Sequence, residues 1–355
     1  MPAVGLVYDP LYLEHDSAHH PENAERLRAV TSLLEESGLC SRLHAVAARD
    51  ATVDEIAFIH DRDYVDTVRQ VAQSGGESWM DPDTYVCHRS YDAALRAAGG
   101  CLAAVDAVLS GEAESAFCLV RPPGHHAISW RAMGFCLFNN VAIAVEHARR
   151  RHALRRVAVV DFDVHHGNGT HDAFYLEPDV LYFSTHQSPF YPGSGRWQET
   201  GDGEGKGATV NVPLPAGSGD AVFRRIWKDI LTPALRRFGP DMMLVSAGYD
   251  GHFADPLASL ALSSAGYYEL VAGLRDLARE LCRGRLLLTL EGGYDLTALA
   301  WSIRNSLEAL LDEERTPDPL GQGNYPPPSG IDELLAAVAK IHGLDEDRST
   351  DIGTD

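Results

Sequence analysis

Paired cysteines are missing from this chain. Its six cysteines, at positions 40, 87, 101, 118, 136 and 282 of 355, form no CxxC and no recurring spacing. That argues against a disulfide framework or a thiolate zinc site, and makes reduced thiols in a cytoplasmic protein the expectation. No run approaches the ~18 apolar residues that a membrane span requires. The opening MPAVGLVYDP lacks the charged region and apolar stretch of a secretory signal. Basic residues are in deficit, 30 Lys and Arg against 51 Asp and Glu, for a net charge of -21. Such a surface repels phosphate, so neither nucleic acid nor an anionic membrane is an expected partner. No internal repeat is evident. What remains is ordinary globular composition, 45% hydrophobic and 23% charged, in a length that suits one large α/β domain or two smaller ones.

The stretch around which the rest is organised is RVAVVDFDVHHGNGTH, residues 156–171. It starts as a short apolar run with the pattern of a buried strand. It then breaks into Asp161, Asp163, His165 and His166, followed by Gly167-Asn168-Gly169. Asp161, Asp163 and His165 at i, i+2, i+4 share one side of an extended chain, because strand side chains alternate. Carboxylate oxygen and imidazole nitrogen are the ligands zinc accepts when no thiolate is offered. A strand end with solvated acids and a Gly-Asn-Gly turn is the bland alternative. So many titratable groups packed directly behind a buried strand make it a poor one.

Taken in order, the chain predicts a strand at 3–8, a helix at 24–37 stopped by Gly38, and two amphipathic helices between 50 and 75. Residues 79–85 read as a loop carrying Asp81 and Asp83, and residues 91–109 as an alanine-rich helix. Strands are expected at 116–120, 157–161, 180–184, 209–212, 242–246 and 286–290, and helices at 137–151, 221–238, 265–282 and 296–311. Strands alternating with helices predict an α/β protein with a parallel sheet covered on both faces. Residues 1–315 are assigned to this domain. Residues 316–344, a proline-rich wrap and a short helix, are expected to pack on it, and 345–355 form an acidic tail expected to be disordered.

Open parallel sheets bind ligands beyond the carboxyl ends of their strands. Five predicted strands end in polar, glycine-punctuated loops that converge there. They carry Arg121-Pro-Pro-Gly124-His125-His126, the 161–169 motif, Ser184-Thr185-His186, Ser246 to Asp250 with Asp255, and Glu291-Gly292-Gly293-Tyr294. Asp163, His165 and Asp250 together would make a three-ligand zinc site with room for water and substrate. His125 and His126 suit general acid and base work. Asp161 could hold the far nitrogen of one imidazole and Asn168 that of the other, without added charge. Tyr294, on a Gly-Gly turn, could donate to an oxyanion; a core aromatic is the alternative for it.

RPPGHHA (121–127), GFCLFNN (134–140), VDFDVHHGNGT (160–170), STH with FYPGSG (184–195), SAGYD with DP (246–256) and EGGYDL (291–296) resemble the histone deacetylase family. That family includes bacterial acetoin-utilisation proteins and acetylpolyamine amidohydrolases. The resemblance runs in order from about His20 to Leu311. It implies the arginase/deacetylase fold, a single three-layer domain with an eight-stranded parallel sheet flanked by helices. By motif position, Asp163, His165 and Asp250 match the zinc ligands, His125 and His126 the catalytic pair, and Tyr294 the transition-state tyrosine. Gly134, Phe135 and Tyr191 fall on the acyl-lysine tunnel, where tyrosine departs from the common phenylalanine. Asn168 stands where class I members carry aspartate, which brings the chain closer to class II. A structural potassium ion is implied at Asp161, Asp163, His165, Ser184 and Thr185. Either Asp81 or Asp83 would be the rim acid that grips substrate backbone. Leu257 occupies a tunnel-mouth position where polyamine-specialised members can carry glutamate.

The expected function is zinc-dependent hydrolysis of an acyl-amide, with Fe2+ as an alternative metal. Acetyl or another short acyl group would leave an acylated lysine of a protein or a small acylated amine. Acetylpolyamine hydrolysis, an inactive acyl-lysine reader and a dimanganese ureohydrolase are the rivals. A homo-oligomer is left open.

Overall fold

Apolar runs too short for helices become strands. They are Val4–Val7 (β1), His44–Val46 (β2), Ser78–Trp79 (β3), Tyr85–Val86 (β4), Ser115–Cys118 (β5), Val157–Asp161 (β6), Val180–Gln187 (β7), Thr209–Leu214 (β8), Met242–Ala247 (β9) and Leu286–Leu290 (β10). Between them run the helices Glu25–Glu36 (α1), Val53–Ile56 (α2), Arg62–Gln73 (α3), Ser90–Ser110 (α4), Asn140–His152 (α5), Asn168–Phe174 (α6), Asp220–Ile226 (α7), Thr232–Phe238 (α8), Ser264–Cys282 (α9), Leu296–Leu310 (α10) and Ile331–Ile341 (α11). This computed structural model describes residues 3–323 and 325–345, so residues 346–355 of the expected acidic tail lie outside the described residues.

Eight strands form one sheet in the order β2-β1-β5-β10-β9-β6-β7-β8, every neighbouring pair parallel. Every residue of β5, β6, β9 and β10 is buried, as strands covered on both faces must be. On one face α4 packs on β1, β5 and β10 while α5 packs on β6 and β9; α9 covers β9 and β10, with α10 and then α1 packed behind it. Among the described residues α4 is, by length and composition, the one helix that would suffice to cross a membrane, which corrects the expectation that no run comes near that limit. Its most apolar window is 67% buried, and Ala97, Gly100 and Ala104 lie on the covered side. It is a core helix whose small residues allow close approach.

Other differences have local causes. β2 is three residues long and was not foreseen, because His44-Ala45-Val46 carries no periodic signal. Residues 79–85 are not a loop but a hairpin, with Trp79 opposite Tyr85 and β3 antiparallel to β4. Helix α5 starts three residues later than expected because the Asn139 side chain caps it, accepting from Ala142 N at 3.0 Å. The helix expected at 221–238 is α7 and α8 joined by a π-helical turn at Trp227–Leu231, which no residue pattern announces. After residue 315 the chain reaches α11, which packs against β8 and that turn.

The N-terminal segment is tied to the sheet by buried charge. Glu22 accepts two hydrogen bonds from Arg121, one of them Nη2 to Oε2 at 2.8 Å, and one from Arg26 Nη1 at 3.0 Å. All three side chains are fully buried. Arg26 continues to the carbonyls of Gly293 (2.7 Å) and Glu291 (2.6 Å), so α1 holds the loop after β10. Burial alone would raise the Glu22 pKa, but Arg121, His15 and Arg26 hold it well below the usual carboxylate range. A depressed folded-state pKa means stability that is complete at neutral pH and lost as the pH falls below about 4. Glu22→Ala strands two buried guanidinium groups and should destabilise the protein by about 3–5 kcal/mol at pH 7, read by urea denaturation. A loss below about 1 kcal/mol would show that the knot is not a structural tie.

Candidate active site

Strand order explains why residues far apart in sequence meet. β9 and β10 are inserted between β5 and β6, so the loops after all four open on one edge. Asp161, the last residue of β6, pairs in register with Ser246 on one side and Ser184 on the other. Beyond it the chain is no longer a strand, and the alternation expected through residue 165 breaks. Asp161 faces His125 and Tyr182, whereas Asp163 and His165 face Asp250.

Asp163, His165 and Asp250 bring one potential ligand atom each to within 4.8 Å of one another. His165 Nδ1 lies 3.2 Å from Asp163 Oδ1 and 3.2 Å from Asp250 Oδ2. The remaining carboxylate oxygens are occupied by backbone: Gly292 N donates to Asp163 Oδ2 (2.9 Å) and Val164 N to Asp250 Oδ1 (3.0 Å). That leaves Asp250 Oδ2 buried and outside any hydrogen bond, aimed at the point between the three groups. Burial disfavours charge on the His165 ring, yet Asp163 and Asp250 raise its pKa to about 10. The pocket demands positive charge at that point, and two carboxylates plus one imidazole fit a divalent zinc-class ion with open positions. Gly292 is required here by close approach, since a Cβ on it would lie 2.1 Å from Asp250 Oδ2.

The adjacent histidines have opposite environments. His125 Nδ1 donates to Asp161 Oδ2 at 3.1 Å, and Glu291 accepts from the backbone N of both Gly124 (2.7 Å) and His125 (3.2 Å). Burial opposes its charge, but Asp163, Asp161 and Glu291 raise its pKa to about 10. His126 Nδ1 lies 2.8 Å from Asn168 Oδ1. The Asn168 amide nitrogen donates to the His126 carbonyl (3.2 Å), which fixes the amide's orientation. Its oxygen therefore faces the ring, so His126 Nδ1 carries the proton and Nε2 keeps a lone pair. Burial and the neighbouring His125 and His165 hold its pKa well below the ordinary value. One imidazole is charged and its neighbour neutral, the separation that acid and base roles require.

A cavity of about 230 Å³ leads to these groups, lined by Asp83, His125, His126, Gly134, Phe135, His165, Tyr191, Leu257 and Tyr294 among others. Phe135 stands edge-on to Tyr294 with ring centroids 5.7 Å apart, and Tyr191 edge-on to His126 at 5.2 Å. Tyr294 is half-buried, its ring under the Arg26 guanidinium at 5.0 Å and its backbone N donating to Asp255 Oδ2 at 2.6 Å. Burial keeps its phenol protonated, with a pKa well above 10. The geometry separates the two rim candidates, because Asp83 lines the cavity while Asp81 stands behind it and accepts from Asp83 N at 3.1 Å. Ser184 and Thr185 are fully buried within β7, beside the end of β6, Ser184 Oγ 3.0 Å from His186 Nδ1 and Thr185 Oγ1 3.5 Å from the Asp161 carbonyl.

Sequence reasoning missed the supports. Glu291 and Asp255 were seen only as polar loop residues, yet each anchors catalytic backbone by accepting N–H groups. Glu22 and Arg26 gave no signal, because a helix-start Glu and an Arg four residues on look like a surface pair. Residues 168–174, read as following a turn, are α6, and its first residue is the Asn168 that orients His126.

Gly134 has φ +57°, and a Cβ there would lie 2.3 Å from His126 Cδ2. Gly134→Ala must displace either the tunnel wall or the base, and a misplacement near 1 Å lowers rate about 10²-fold. The expected outcome is a kcat loss of at least that order with zinc content unchanged. Wild-type kcat would mean that the loop yields freely.

A histone deacetylase domain model matches residues 20–310 of this chain. The chain is 43% identical over 318 residues to the chloroplastic histone deacetylase 14 of Arabidopsis thaliana, covering 85% of this chain and 75% of that one. It is 40% identical over 295 residues to the histone deacetylase-like amidohydrolase of Pseudomonas aeruginosa, covering 83% and 76%. The crystal structure of the HDA15 HD domain superposes with a TM-score of 0.90 at 34% identity, over 98% of each chain. With fold, site and sequence in agreement over most of its length, the chain belongs to the histone deacetylase family of zinc-dependent amide hydrolases.

Proposed function

We propose that the protein removes acetyl or another short acyl group from the side-chain amine of acylated lysine. The observation that carries this choice is Leu257, half-buried on the cavity wall, whose side chain offers no charge to a second ammonium. The nearby Asp255 is buried and its carboxylate is taken up by the N–H groups of Leu257, Tyr294 and Asp295. A buried ammonium without a partner is costly, whereas a methylene stem packs against leucine, Phe135 and Tyr191. Asp83 is the one carboxylate at the rim among the lining residues, and it suits backbone N–H groups of a peptide. Six free cysteines support a reducing, cytoplasmic setting, and the net charge of -21 speaks against nucleic acid or anionic membrane as partner.

Bound at Asp163, His165 and Asp250, zinc (or Fe2+, which the same ligands accept) supplies Lewis-acid polarisation of the carbonyl and a more acidic water. His126 Nε2 takes the proton of the attacking water. His125 stays charged against Asp161 and stabilises negative charge as the water adds. Tyr294 donates its hydroxyl to the oxyanion of the tetrahedral intermediate, and the histidine pair returns a proton to the departing amine. A potassium ion is proposed where the end of β6 meets β7, at Asp161, Asp163, His165, Ser184 and Thr185. The adjacent Thr185 hydroxyl and Asp161 carbonyl offer the hard oxygen ligands such an ion needs.

Tyr294→Phe removes one donor and should lower kcat by ~10²–10³ with little change in KM. A loss under threefold would assign the ring to packing alone. Acyl-lysine peptides compared with acetylspermidine should give the higher kcat/KM for a peptide. Leu257→Glu should then move that ratio at least tenfold towards acetylspermidine, about 1.4 kcal/mol. Acetylspermidine preferred by the unaltered protein would overturn the lysine assignment while leaving the amidohydrolase intact.

A further inference from the structure

Asp106, His147 and His152 form a second group of metal-ligating side chains, the other of two such groups among the described residues. Asp106 belongs to α4, while His147 and His152 belong to α5, packed against it. Both imidazoles place Nε2 at 2.7 Å from one and the same atom, Asp106 Oδ1. Their rings are 5.6 Å apart and inclined at 67°, and the three ligand atoms lie within 4.8 Å of one another. His147 is 4% exposed and holds the inner side, while half-exposed Asp106 and His152 leave the outer side open to water.

We propose that this cluster is a second, non-catalytic site for a zinc-class divalent cation, which clamps α4 to α5. Two imidazoles that only needed an acceptor could be shared between both carboxylate oxygens. Here they converge on one oxygen, each using up a proton that a cation would replace. Two imidazole nitrogens and a carboxylate oxygen are a zinc-class ligand set, and water completes the tetrahedron on the open side. Hard cations such as Mg2+ and Ca2+ take oxygen ligands and are poorly served by two imidazoles. Tetrahedral bonds of ~2.1 Å hold ligand atoms ~3.4 Å apart. Each ring therefore has to withdraw only ~0.7 Å from Asp106, which the exposed His152 and Asp106 side chains can accommodate. The neighbouring cation does not compete, since Arg49 is committed to Glu55 at 2.9 and 2.7 Å.

The position argues for a structural role. At ~1.5 Å per residue, His152 lies about 18 Å along α5 from Asn140, where the helix meets the catalytic loop. Asn140 Nδ2 donates to the Pro122 carbonyl at 3.0 Å, so this helix carries the loop of His125 and His126 at one end and the cluster at the other.

The test counts metal. Protein shown by metal analysis to hold one zinc per chain is titrated with zinc chloride by calorimetry at neutral pH. The expected result is uptake of one further zinc per chain, together with a rise in Tm. His152→Ala and Asp106→Asn, both half-exposed and remote from the cavity, should weaken that uptake at least tenfold and abolish the Tm rise while keeping normal amide hydrolysis. Asp250→Asn, made separately, should lose the first zinc and retain the second, so failure at either site can be told apart. No second uptake by the unaltered protein, or equal uptake by His152→Ala, would overturn the proposal and leave a hydrogen-bonded triad.

Discussion

Buried negative charge at one sheet edge is the constraint on which the rest of this molecule depends. Asp161, Asp163, Asp250 and Glu291 are all fully buried at or just past the ends of β6, β9 and β10. Two such charges ~5 Å apart at an effective dielectric near 20 repel by about 3 kcal/mol. The repulsion and burial show in the groups themselves, with Asp161 and Asp250 raised above the usual carboxylate range and Glu291 pushed to about 7. Asp163 goes the other way, because His125 and His165 hold its carboxyl down. The fold answers with N–H groups of Gly292, Val164, Gly124 and His125, with one charged imidazole, and with a gap fitted for a dication. Gly292 and Gly124 follow from the crowding around these carboxylates, since a Cβ would lie 2.1 Å from Asp250 Oδ2 at Gly292 and 2.5 Å from Asn140 N at Gly124.

The same charge distribution sorts the two histidines. A carboxylate in place of Asn168 would face His126 with negative charge and draw its pKa up. The amide keeps the orienting hydrogen bond and leaves the ring neutral, so the base is poised by geometry instead of by charge. His125 is the reverse case, enclosed by acids and kept positive. Two identical residues, adjacent in the chain with ring centroids 4.0 Å apart, thereby acquire different chemistry from what stands behind them.

The sequence displayed the chemistry better than its scaffolding. Strands such as Val157–Asp161 and Leu286–Leu290 were legible because burial on both faces forces continuous apolar runs, and the loops after them declared themselves through His, Asp and Gly. What stayed hidden is set by tertiary contact. Three-residue β2 is a strand only because β1 offers it an edge, and β3–β4 only because Asp81, Asp83 and Thr84 turn the chain back. Residues 168–174 hide a helix behind two glycines. The choice between Asp81 and Asp83 also needed coordinates, since both lie in one acidic turn and only one faces the cavity. Glu22 and Arg26 read as a surface i,i+4 pair until Arg121 and the carbonyls after β10 are brought against them.

Helix α5 shows why a site at one edge depends on packing well away from it. Its first turn is fixed by Asn139, which caps the helix, donates to Thr170 Oγ1 at 3.1 Å and takes its own N–H to His60. Through Asn140 and Pro122 the helix sets the height of the His125–His126 loop, while through Thr170 it sets α6 and with it Asn168. Base and orienting amide therefore ride on the same helix end. A helix behaves as a rod, so any tilt is transmitted to both at once, and their 2.8 Å contact survives small shifts that would separate groups on independent loops. What such a shift does change is the register of the pair against Asp163, His165 and Asp250, which belong to β6 and β9. Reaction geometry tolerates little of that. Rigidity between α5 and the sheet beneath is therefore a catalytic requirement, met by the packing of α5 on β6 and β9.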